Sequence, residues 1–141
     1  MYNSISRSTT YVLDQDEALD FYVNTLGLEV ANDIDMGFMR WLTVRLPGDP
    51  VREILLERPG PPMMDDATAS QVRELLSKGA VAGALFLTTD DAQETYETLV
   101  ARGVDVTDEP TSRPYGIDFG IRDPFGNAIR IGQMADDQPT K

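Results

Sequence analysis

The chain repeats itself. Thr9-Thr10-Tyr11-Val12-Leu13, then Asp14, a helical stretch and Gly27-Leu28-Glu29-Val30 return later in a second version. That version runs Leu85-Phe86-Leu87-Thr88-Thr89, Asp90-Asp91, another helical stretch and Gly103-Val104-Asp105-Val106. The offset, from Gly27 to Gly103, is 76 residues. A fixed internal period means that one supersecondary unit is used twice, which bounds the architecture before any single element is placed. Asp14 with Glu17 and Asp91 with Glu94 form capping-box-like helix starts, and Gly27 and Gly103 stand where left-handed residues end helices. Leu19, Tyr22, Val23 and Leu26 share one helical face, as do Ala92, Tyr96, Leu99 and Val100.

Three strand-like runs follow each helix. They are Leu28 to Ile34, Phe38 to Leu46 and Arg52 to Leu56 in the first half. In the second they are Val104 to Asp108, Ile117 to Arg122 and Ala128 to Gln133. Asp123-Pro124 opens a tight turn before the last of these, and Gly126-Asn127 closes it. The predicted class is α+β: two tandem βαβββ modules, about 5–58 and 81–133, forming a curved eight-stranded mixed sheet around a cleft. Between them Pro59-Gly60-Pro61-Pro62 breaks the pattern, and a short helix over about 67–78 is predicted, ending at Gly79. The polar tail 134–141 is expected to be disordered.

Composition removes whole classes of function. No apolar run approaches the roughly 18 residues of a membrane span, and residues 1–8 do not resemble a signal peptide, so a cytoplasmic location is expected. The net charge of −12 disfavours nucleic acid and favours cationic ligands. Zero cysteine excludes disulfides and thiolate chemistry, and zero histidine excludes His-dependent triads and imidazole metal sites. The acidic pairs Asp65-Asp66 and Asp90-Asp91 stand at helix starts, where capping and the helix dipole explain them.

The phrases Tyr11-Val12-Leu13-Asp14-Gln15-Asp16-Glu17-Ala18-Leu19-Asp20-Phe21-Tyr22, Leu26-Gly27-Leu28-Glu29-Val30, Ala101-Arg102-Gly103-Val104 and Arg122-Asp123-Pro124-Phe125-Gly126-Asn127 resemble members of the vicinal-oxygen-chelate superfamily. This is the glyoxalase, bleomycin-resistance and dioxygenase group, and the resemblance covers residues 5 to 133. It implies four metal-ligand positions facing a cleft. They fall on Arg7, on one of Glu53, Leu55 and Glu57, on Ala84, and on Arg130, where the family usually carries a glutamate. Guanidinium stays protonated and cannot serve as a ligand, so no metal and no cofactor are expected. Arg7 or Arg130 pairing with Glu53 or Glu57 would fill the vacated centre. The alternatives are that the arginines bind an anionic or carbonyl ligand, or lie on an exposed rim.

Aromatic side chains on the strands and turns suggest that a small-molecule cleft persists. The candidate ligand-binding residues are Phe38, Trp41, Tyr115, Phe119, Met63, Arg7, Glu57 and Arg130. Packing is the plainer reading for Phe38, Trp41 and Phe119, whereas Tyr115 lies in a loop. Relatives lacking the ligand set include drug-sequestering proteins, so the resemblance implies a non-catalytic binder of a planar or aromatic antibiotic, acting as a homodimer. Two alternatives stand beside it. One is a metal-independent lyase or isomerase using Glu53 or Glu57 with Arg7 or Arg130. The other is a dimeric accessory or regulatory protein without a small-molecule ligand.

Overall fold

A computed structural model describes residues 1–81 and 85–135. The chain divides into two compact units, Met1–Lys78 and Gly79–Lys141. The expected tail over 136–141 lies outside the described residues.

The first unit runs β1 (Arg7–Tyr11), α1 (Gln15–Leu19, continuing as a π-wound turn over Asp20–Thr25), β2 (Glu29–Asp35), β3 (Arg40–Arg45), β4 (Glu53–Glu57) and α2 (Asp66–Ser77). The second runs β5 (Leu85–Thr88), α3 (Ala92–Ala101), β6 (Asp105–Arg113), β7 (Gly116–Arg122) and β8 (Ala128–Met134). Both are βαβββ, and the strand orders match: β1-β4-β3-β2 and β5-β8-β7-β6. In each, the first strand lies parallel to the fourth and the other pairs are antiparallel. The expectation of one eight-stranded sheet is corrected, because the strands hydrogen-bond as two four-stranded sheets.

Local chemistry sets the helix boundaries. The carboxylates of Asp14, Asp65 and Asp91 accept hydrogen bonds from the backbone N–H groups of Glu17, Thr68 and Glu94 at 2.8, 2.7 and 2.9 Å. Each satisfies an orphan donor of a first helical turn. Gly27 and Gly103 end α1 and α3 at φ of 90° and 82°, values that carry a Cβ penalty for other residues.

The repeat is imperfect at one point. From cap to terminal glycine the first helix spans thirteen steps (14 to 27) and the second twelve (91 to 103). The extra residue is taken up by the π-wound turn, in which Leu26 N–H bonds Phe21 O at 2.9 Å, five residues back. Phe21, outside the expected apolar face, is consequently buried and meets Tyr22 edge-on at 5.0 Å. In α3, Ala92 and Leu99 are buried as expected, but Val100 faces solvent.

Alternation within the strands assigns the two faces of each sheet. In the first unit Leu42, Val44 and Leu56 are buried together with Val12, Ala18 and Tyr22, so this face lies under α1. In the second, Phe119, Ile121, Ile129 and Ile131 are buried, and Phe119 meets Tyr96 of α3 edge-on at 5.5 Å. The opposite faces carry the charged and polar residues considered below.

The β7–β8 turn follows its sequence closely. The buried Asp123 carboxylate accepts from the backbone N–H groups of Phe125, Gly126 and Asn127, and from Asn127 Nδ2 at 2.7 Å. Strand β6 extends five residues beyond the predicted Asp108, to Arg113. Pro110 argues against a strand, but β6 is an edge strand, where a missing donor is tolerated.

Candidate functional site

On the face of the second sheet away from α3, cross-strand register creates a charged row. Asp108 on β6 stands opposite Gly120 on β7, which stands opposite Arg130 on β8. Glycine in the middle leaves a channel across the sheet. A Cβ there would approach Arg130 Nη1 and Asp108 Oδ1 at 2.6 Å and collide with Thr107 Oγ1. Through this gap the Arg130 guanidinium reaches Asp108, donating from Nη1 at 2.7 Å and from Nη2 at 3.1 Å. It also donates to Asp118 from Nε at 3.2 Å. Asp118 accepts in addition from Arg113 Nε at 2.6 Å and from Tyr115 Oη at 3.1 Å.

Two arginines and two aspartates thus neutralise one another around a carboxylate whose side chain is only 7% exposed. Burial pushes the Asp118 pKa upward, but donation from Arg113, Arg130 and Tyr115 outweighs it and holds the group below its ordinary value. Asp108 is likewise lowered, chiefly by its hydrogen bonds from Arg130. The expectation that Arg130 might pair with Glu53 or Glu57 is corrected: its carboxylate partners are Asp108 and Asp118. The sequence offered little sign of this. Asp108 and Asp118 are separated by a strand turn, and only the register brings them to one arginine.

The corresponding face of the first sheet is looser. Arg7 and Glu53 are register partners on β1 and β4, and Arg7 Nε meets Glu53 Oε1 at 3.4 Å. The Arg7 guanidinium lies 5.3 Å from the Trp41 ring centroid, a cation–π arrangement. Asn32 Nδ2 donates to Thr43 Oγ1 at 3.3 Å. The Arg7–Glu53 pairing agrees with the sequence expectation.

Beyond this row, where β4 runs into the proline-rich segment, the first unit holds a cavity of ≈ 340 Å³. Phe38, Met39, Pro59, Pro61, Pro62 and Met63 give it apolar walls, with Gln15, Arg40, Glu57, Arg58, Gly60, Asp66 and Arg73 between them. Phe38 and Met63 are 67% and 72% exposed, so neither is held by packing. Gln15 is fixed by donating from Nε2 to Arg40 O at 3.1 Å and to Leu56 O at 2.9 Å. Arg40 is clamped by Asp33 through two bonds of 2.8 and 2.9 Å, and by Asp16 at 2.8 Å. Glu57 has neither hydrogen-bond nor ion-pair partner for its side chain among the described residues. Burial pushes its pKa upward.

The eight candidate residues therefore separate. Phe38, Met63 and Glu57 line one cavity. Arg7 and Trp41 sit together on β1 and β3, while Tyr115 and Arg130 belong to the Asp118 cluster. Phe119, expected as a cleft wall, is corrected to a core residue with no exposure. Its strand parity directs it towards α3.

Residues 4–131 match the Glyoxalase/Bleomycin resistance protein/Dioxygenase superfamily, and the chain belongs to it. Its fold is similar to the crystal structure of UcmS2, with a TM-score of 0.89 and 39% identity over 94% of this chain and 99% of that one. It is also similar to TnmS3, an antibiotic binding protein from Streptomyces sp. CB03234, with a TM-score of 0.75 and 30% identity over 95% and 98%. An uncharacterised protein of Shewanella frigidimarina (strain NCIMB 400) is 33% identical over 99% of both chains.

The residues at the superfamily's ligand positions do not fit a metal. Arg7 and Arg130 are cations already engaged by carboxylates, and of the three residues at the second position Glu53 is paired with Arg7, Leu55 is apolar and buried, and Glu57 alone would give too few ligands. Ala84, the remaining position, lies outside the described residues. Among the described residues no group of three or more His, Cys, Asp or Glu side chains could hold a metal ion.

Proposed function

We propose that the protein is a non-catalytic binder of planar aromatic small molecules, of the kind that sequesters an antibiotic. The observation that carries this reading is the cavity beside β4. Its volume is that of a small-molecule site, its walls combine one aromatic, prolines and methionines with polar and charged side chains, and two of its largest apolar side chains are exposed. Binding of this type needs an apolar surface and a few oriented polar groups. The acids and cations of the two strand faces are meanwhile engaged with each other. A carboxylate whose pKa is lowered by paired arginines is a weak base, so Asp108 and Asp118 are poor candidates for proton abstraction. The antibiotic-binding TnmS3, similar along nearly the whole chain, supports the same reading. The reading includes a homodimer, which sedimentation equilibrium checks.

The test is a titration with daunorubicin, a planar anthraquinone glycoside, followed by quenching of Trp41 and by calorimetry. Saturable binding at about micromolar Kd, unchanged by EDTA and without chemical conversion of the drug, is expected. Turnover of the drug, or binding that EDTA abolishes, would overturn the proposal.

A further inference from the structure

We propose that the cavity beside β4 selects planar ligands that carry a positive charge, with the Glu57 carboxylate as the partner of that charge. This rests on the reading of the protein as a small-molecule binder and names its ligand class.

Most carboxylates near the strand faces already have work. Asp14, Asp65 and Asp91 cap helices, Asp16 and Asp33 clamp Arg40, and Glu53 holds Arg7. Asp108 and Asp118 hold Arg130. Glu57 differs. It ends β4, lines the cavity and is half-buried, yet no donor among the described residues meets its carboxylate. A carboxylate withdrawn from water without a partner is costly, and a ligand cation would supply one.

The cations lining the cavity do not fill that role. Arg40 is committed to Asp33 and Asp16, and Arg73 leans on Pro59 O at 3.5 Å. Arg58 is exposed and makes no ion pair with Glu57. Phe38, which lines the same cavity, adds a second preference, since a flat cation stacked on its ring gains from the ring quadrupole while a flat anion does not. The net charge of −12 raises the local concentration of any cation but cannot distinguish one site from another.

The experiment compares three flat three-ring probes at neutral pH: 9-aminoacridine (a cation), acridine (neutral) and 9-anthracenecarboxylate (an anion). Each is titrated by fluorescence against the wild type, Glu57→Gln and Asp90→Asn. Asp90 lies outside this cavity, so Asp90→Asn makes the same change in net charge elsewhere. The wild type is expected to bind 9-aminoacridine roughly tenfold more tightly than acridine, and the anion most weakly. Glu57→Gln should remove most of the cation-to-neutral preference, while Asp90→Asn leaves it intact. Thermal melting confirms that both variants are folded, and Phe38→Ala should weaken all probes together.

A wild-type ratio near one, a ratio that survives Glu57→Gln, or tightest binding of the anion through Arg58 and Arg73 would each overturn the inference. Failure of all three probes while daunorubicin binds would refute this cavity's role and leave the small-molecule reading standing. If daunorubicin also fails to bind, both fall.

Discussion

The two units share one topology and use it differently. In the second, the open sheet face is closed by charge: Arg113 and Arg130 lie between Asp108 and Asp118 at 2.6 to 3.5 Å, over a glycine that makes room for them. In the first, the equivalent face pairs Arg45 with Glu29 at 2.8 Å and Arg7 with Glu53 at 3.4 Å, the latter with Arg7 40% exposed, and beyond them lies a cavity in which the Glu57 carboxylate has no partner among the described residues. Duplication therefore did not produce two equal sites. In one copy the open strand face is filled from within; in the other the Glu57 carboxylate of the cavity is left without a partner among the described residues.

The largest expected effect comes from unbalancing the filled copy. Asp118→Asn leaves two guanidinium groups facing an amide and should destabilise the protein by about 2 kcal/mol in urea denaturation. Gly120→Ala should cost somewhat less, about 1–2 kcal/mol. The atoms its Cβ would meet are side-chain tips that can yield, though only by loosening the Arg130–Asp108 bonds. If either variant proves as stable as the wild type, the charged row is incidental.

Acid should sharpen the contrast. Asp108 and Asp118 have folded-state pKa values below the ordinary ones, so the stability they contribute is present above the unfolded carboxylate pKa of about 4 and is lost as pH falls through the lower folded values. Stability measured from pH 6 downwards should fall more steeply for the wild type than for Asp118→Asn. Parallel curves would contradict the assignment.

The first unit should respond in the opposite sense. Phe38 is exposed, so Phe38→Ala is expected to change stability by less than about 0.5 kcal/mol while weakening daunorubicin binding several-fold. Calorimetry alongside thermal melting separates the two effects. The smallest change is expected from Arg7→Lys. It keeps the charge beside Glu53 but replaces the guanidinium that lies 5.3 Å from the Trp41 ring centroid, and should shift Trp41 emission more than stability.

How far the sequence could be read follows from the range of the interactions. Helix caps, terminal glycines and the Asp123 turn are set by residues a few positions apart, and they were legible. The Arg7–Glu53 pair was also within reach, because the family resemblance puts both residues at candidate metal-ligand positions. The Arg130 partners were hidden. Asp108, Gly120 and Arg130 become neighbours only through β6–β7–β8 register, and β6 contains two register shifts that no periodicity reveals. Phe119 was a cleft candidate for which packing was already the plainer reading, and on β7 strand parity decides for the core. The π-wound turn left a trace in the sequence, one extra residue between cap and glycine, readable only once the two halves are aligned on Asp14 and Asp91.

The division proposed between the units, binding in the first and bracing in the second, is open to a single test. The most direct measurement is amide mapping by ¹⁵N–¹H NMR during a daunorubicin titration. Shifts are expected to concentrate at Phe38–Arg40 and Glu57–Met63, while the amides of Asp108, Asp118, Gly120 and Arg130 stay in place. Shifts centred on those four residues, with the Phe38 and Met63 amides unmoved, would contradict it.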